Sequence, residues 1–121
     1  MILDGVGYSE FFFKGESRRR VDWKPGALFS PREDEYHQHF NTGPTPTRYM
    51  AFLYSALVAI NTMTVEGSTV SEEEGGWQIE YEDEDPDVYA RFEAECATHG
   101  GVVTLPRPAY RSAPHSVAVG S

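Results

Sequence analysis

Hydrophobic and polar positions alternate through much of the first sixty residues. Ile2-Leu3 runs into Asp4-Gly5-Val6-Gly7, a strand end entering a glycine turn, and Tyr8 to Phe13 reads as a second strand. Lys14-Gly15-Glu16-Ser17 is polar and contains glycine, so it can reverse the chain. Arg18 to Trp23 places Val21 and Trp23 on one face and Arg20 and Asp22 on the other, which makes a hairpin the natural reading. Pro25-Gly26 marks a turn, and Ala27-Leu28-Phe29 reads as a short strand before Pro31. In Tyr36 to Asn41 a period of two puts Tyr36, Gln38 and Phe40 on one face and His37, His39 and Asn41 on the other. After a turn over 42–46, Arg48 to Ile60 resumes as strand, with a break near Ser55-Ala56. Short strands with frequent turns predict an all-β barrel or sandwich.

The second half changes character. Asn61 to Gly76 is rich in Thr, Ser, Glu and Gly and reads as a loop, while Trp77-Gln78-Ile79-Glu80-Tyr81 alternates and can add a strand. Asp85 is a good N-cap, Pro86 suits the first helical position and Gly100-Gly101 suits the end, so the pattern predicts one helix over Pro86 to His99. Val88, Phe92 and Cys96, with Tyr89 beside them, give it a single apolar stripe to pack on the β domain. Beyond Leu105 the chain reads as an extended tail. The expected organisation is a β domain over 1–81, an acidic segment and helix over 82–105, and a flexible tail over 106–121.

Charge divides at the same place. The chain has 121 residues and a net charge of −9. Residues 1–60 hold 7 basic and 7 acidic side chains, whereas 61–121 hold 3 basic and 12 acidic, so the second half carries the whole excess. An acidic balance argues against nucleic acid as partner, because that binding rests on cationic contacts to phosphate. The single cysteine, Cys96, forms no internal disulfide, and nothing at the N-terminus reads as a cleaved leader, which points to the cytoplasm. The longest apolar run, Tyr49 to Ile60, is well short of the ~20 residues that span a bilayer, so no membrane segment is expected.

The candidate chemistry centres on His37 and His39. On one strand face their imidazoles project about 7 Å apart into the same space, where they can share a divalent ion such as Fe, Mn, Zn or Ni or line a polar cavity. A catalytic metal site generally needs three protein ligands. The third would come from Glu33-Asp34-Glu35, which otherwise reads as a solvated turn, while His99 and His115 are poorly placed. Arg18-Arg19-Arg20 reads as a strand edge dressed with charge against edge pairing, or as an anion site. The six carboxylates between Glu80 and Asp87 lack the glycine and ligand spacing of a calcium loop and read as structural.

The run from Gly26 through Pro31 and His37 to Asn41 resembles the second motif of the cupin superfamily: a glycine turn, a strand ending at proline, a histidine, and an asparagine four positions later. Glu33 stands where that motif has glycine, and His37 comes one residue late. Further similarity lies in Gly7-Tyr8, Val21 to Gly26, His37 to Gly43, Arg48-Tyr49 and Gly75 to Pro86, which look like a bacterial cupin group often labelled ethanolamine ammonia-lyase-activating or gentisate-dioxygenase-like. The resemblance implies a mainly β fold, a partial cupin-type jelly-roll barrel with one C-terminal α-helix. It implies a divalent transition metal on His37, with His39 as the alternative or second ligand and Asn41 at the barrel mouth. If Gly5 closes the first cupin motif, that motif's ligands precede Met1, and the expectation is an N-terminally shortened barrel or a natural half. Two functional expectations follow: a cupin-domain protein with a metal or small-molecule site, related to metal-dependent dioxygenases, or a non-catalytic module that completes its barrel as a homo-oligomer or with a partner chain.

Overall fold

The computed structural model describes residues 1–52 and 70–111. They form two compact units: one takes in residues 1–50 and 85–107, the other 51–52, 70–84 and 108–111.

The first unit is built from small antiparallel sheets and one helix. Its strands are β1 (Ile2–Asp4), β2 (Gly7–Phe12), β3 (Arg19–Asp22), β4 (Tyr36–Asn41) and β5 (Arg48–Tyr49). β2 is the centre of a three-stranded sheet in the order β3-β2-β4, and β1 pairs with β5 in a two-stranded sheet. The register sets Ser9 between Val21 and His39, and Phe11 between Arg19 and His37. These strands form where the alternating pattern places them. No closed barrel is formed among the described residues.

Two expected strands are absent among the described residues. Ala27-Leu28-Phe29 makes no ladder: its backbone tie to a strand is at Ile2, which donates to Ala27 O and accepts from Gly26 N. The register of β1 shifts between Ile2 and Asp4, so its neighbour has nothing regular to extend along. Trp77 to Tyr81 in the second unit makes a single parallel bridge, Ser71 to Gln78, before the chain tightens into a 3-10 turn at Tyr81–Asp83. Alternation makes a segment fit for a sheet, but the ladder needs a partner of matching length. In this unit Arg111 gathers the acidic run, lying 2.9 Å from Asp83, 3.7 Å from Glu82 and 3.6 Å from Glu73. Residues 53–60 of the expected Arg48 to Ile60 strand and 112–121 of the expected tail lie outside the described residues; Arg48–Tyr49 is strand.

The helix α1 (Pro86–His99) forms as its caps predict. Asp85 Oδ1 accepts from Asp87 N at 3.0 Å, and Gly100, left-handed at φ 80°, donates to Cys96 O. Its stripe of Val88, Tyr89 and Cys96 is buried, and Phe92 meets Phe40 with ring centres 5.8 Å apart. Beneath it, the sheet offers stacked pairs, Tyr8 with Phe40 at 4.7 Å and Phe12 with Tyr36 at 5.4 Å. Burying each such ring contributes roughly 1.5–3 kcal/mol.

A charge lies inside this apolar layer. Glu10 is fully buried on β2 and accepts a forked pair from Arg91 of α1, Nε to Oε1 and Nη2 to Oε2, both at 2.9 Å. Arg18 Nη1 donates to the same carboxylate at 3.1 Å and to Gln38 Oε1 at 2.9 Å. Burial pulls the Arg18 guanidinium below its ordinary value, against the opposing pull of Glu10. The helix is thus held to the sheet by packing and by a carboxylate shared between two guanidiniums.

Candidate functional site

The other face of β2 carries the histidines. β4 points His37 and His39 to the same side, both exposed, with ring centres 5.4 Å apart. Aromatic rings surround them. Phe11 lies 6.2 Å from His37, and Trp23, Phe29 and Tyr49 lie 6.5, 6.3 and 6.1 Å from His39.

Ser9 ties this face together. Its Oγ is fully buried, lies 2.7 Å from His39 Nδ1, and accepts from Trp23 Nε1 at 2.8 Å. An indole N–H only donates, so Ser9 Oγ accepts from Trp23 and keeps its own proton and a second lone pair; it gives that proton to Nδ1 in one neutral tautomer of His39 and accepts from Nδ1–H in the other. An ion on Nε2 would leave the ring proton on Nδ1, which would then donate to Ser9 Oγ. Gly7 makes the arrangement fit: a Cβ there would come 2.6 Å from the Trp23 ring. The His39 pKa is lowered, first by partial withdrawal from water among these rings and then by the neighbouring His37.

The spacing of the pair suits a shared ion. Two imidazoles bound at ~2.1 Å to one tetrahedral ion hold their ring centres ~5.3 Å apart. Among the described residues no group of three or more His, Cys, Asp or Glu gathers as a metal site. Glu35, in the acidic turn considered for a third ligand, is turned inward instead. Burial raises its pKa, but the Arg32 backbone N–H at 2.8 Å and Arg19 Nη2 at 3.1 Å outweigh that and leave it lowered. Asn41 shares the histidine face, and its amide is committed to the following turn: Nδ2 donates to Thr45 O at 3.0 Å and Oδ1 accepts from Gly43 N at 3.2 Å. His99 lies 3.2 Å from Glu95 on α1, and His115 is outside the described residues.

The pattern of apolar positions located the histidine pair but not its support. Ser9 read only as one residue of an apolar strand, although a lone hydroxyl in Tyr-Ser-Glu-Phe-Phe-Phe was the available signal. Glu10 in the same run was the other. Arg18 was read as part of a charged strand edge. β3 does lie at the edge of its sheet among the described strands, yet Arg18 turns inward and is 4% exposed.

No family model matches this chain, and no curated protein and no solved structure matches it. No helix among the described residues is long and apolar enough to cross a membrane.

Proposed function

We propose that this chain is a cupin-type binding module, a partial jelly roll whose open sheet face takes a divalent transition metal on His37 and His39 and a small molecule against the surrounding rings. The observation that carries this reading is the histidine pair itself: two imidazoles 5.4 Å apart on one exposed face, with His39 anchored through Ser9. Trp23, Phe29 and Tyr49 would supply flat apolar surface beside the ion. The ion would act as a Lewis acid that orients an oxygen-bearing ligand. Two protein ligands support binding, whereas the chemistry of the related dioxygenases calls for a third.

The test is a zinc and nickel titration of the purified chain by calorimetry. One ion per chain, weakened at least tenfold in both His37→Ala and His39→Ala, is the expected result. A folded chain that takes up no metal, or variants that bind as well as the parent, overturns the reading.

A second reading is favoured by a different observation. Leu3, Leu28, Tyr49 and Met50, all on or next to β1 and β5, are 41–72% exposed, a run of apolar surface along a sheet of only two strands. Such a surface suits pairing with a second copy or a partner chain. Light scattering separates the two readings, since pairing predicts a dimer without metal.

A further inference from the structure

Around the connection from β2 to β3 the structure has a cleft of about 330 Å³ lined chiefly by Phe11, Phe12, Phe13, Arg18, Arg19 and Arg32, with Phe11 also stacked on His37. Its volume is at the small end of the ~300–1,000 Å³ typical of small-molecule sites. Ser17, Glu16 and Arg20 complete its wall, Arg20 being paired with Asp22 and Glu95, and Glu35 binds Arg19 at 3.1 Å.

The guanidiniums are held in place. Arg18 lies 3.8 Å above the ring of Phe12, and Arg19 lies 4.3 Å above that of Phe11, arrangements that fix their planes. Arg18 is buried, and the carboxylate it binds, Glu10, is shared with Arg91. A guanidinium has five N–H donors. Among the described residues, the Nε–H of Arg18 and the Nε–H of Arg19 are both buried without a hydrogen-bond partner. Buried donors of this kind are rare in folded proteins, and two in the wall of one cleft call for an acceptor.

We propose that this cleft binds a small organic carboxylate with an apolar body, of the size of a single aromatic ring. Its oxygens would accept from the Arg18, Arg19 and Arg32 side chains in the forked geometry that guanidinium and carboxylate share, and its apolar part would lie along Phe13 and the edges of Phe11 and Phe12. This site does not use His37 or His39 and stands apart from the metal reading.

The experiment is a titration of the full chain with benzoate, followed by the side-chain Nε–H resonances of arginine in NMR spectra, with benzyl alcohol and inorganic phosphate as contrasts. Saturable benzoate shifts of the Arg18 and Arg19 signals are expected, with Arg19→Gln and Arg32→Gln each weakening binding about tenfold. Benzyl alcohol and phosphate should both bind more weakly than benzoate. Absence of saturable shifts overturns the proposal. Benzyl alcohol binding equally well would leave only an apolar cleft, and tighter phosphate binding would make it a bare oxyanion site; both overturn the assigned class. Folded variants that bind like the parent overturn it as well. Should Arg19→Gln fail to fold, the exposed Arg32 decides. Unchanged benzoate binding in His37→Ala is expected, and its loss would refute the independence of the two sites.

Discussion

The two faces of β2 are made from alternate residues of one short strand, yet they have opposite fates. Tyr8, Glu10 and Phe12 lie on the side of α1, where Arg91 supplies the counter-charge that lets a carboxylate be fully buried. Gly7, Ser9 and Phe11 support the other side, where the imidazoles of His37 and His39 stay exposed. The difference lies less in how polar each face is than in where its polar groups find partners. Glu10 finds them on Arg18, just before β3, and on Arg91 of the helix, so its charge becomes structural. Among the described residues His39 has one hydrogen-bond partner, Ser9 beneath it, and no ion pair, so its ring is held by a neutral contact rather than by a counter-charge.

This contrast can be broken most forcefully at Glu10. Glu10→Gln leaves two guanidiniums facing a neutral amide inside the sheet–helix layer, and removing one partner of a buried ionic network costs about 3–5 kcal/mol. Urea unfolding should show that loss; a change under ~1 kcal/mol would mean the network contributes little beyond packing. A smaller effect is expected from Ser9→Ala, which leaves the Trp23 indole N–H without its acceptor and frees the His39 ring. A loss of about 1–3 kcal/mol follows from the unpaired donor, together with a changed His39 tautomer in nitrogen-detected NMR spectra. An unaltered tautomer would show that the rings alone hold His39.

The smallest effect is one of pH. The folded state lowers the His39 pKa below its ordinary 6.5, so the unfolded chain binds the proton more readily. Stability is then complete above 6.5 and declines as pH falls through the window between 6.5 and the lower folded value. Glu35 and Glu95, also lowered, act only below the ordinary carboxyl value of 4.5. Thermal unfolding followed between neutrality and the carboxyl range should therefore lose part of its slope in His39→Asn. An identical slope in the variant would assign the effect elsewhere.

These contrasts also explain what could be read in advance. β2, β3, β4 and α1 were legible because each announces itself locally, by alternation or by Asp85-Pro86 and Gly100 at the helix ends. The common side of His37 and His39 followed from the same alternation. Ala27-Leu28-Phe29, a short apolar run, and Trp77 to Tyr81, an alternating one, misled because neither pattern says whether a neighbouring strand exists. Ser9 beneath His39, and Arg91 against Glu10, were out of reach because each contact joins positions far apart in the chain, 30 and 81 residues respectively.

That last separation has a consequence for synthesis. Chains emerge N-terminus first and tend to fold as whole units. Glu10 leaves the ribosome long before Arg91 follows it, and during that interval a carboxylate sits amid aromatic residues with its main counter-charge still unmade. The side of β2 that α1 will cover cannot close as an apolar layer until the helix has been translated. The first unit is therefore expected to assemble late and in one step, with its earliest strands waiting on one of its last elements.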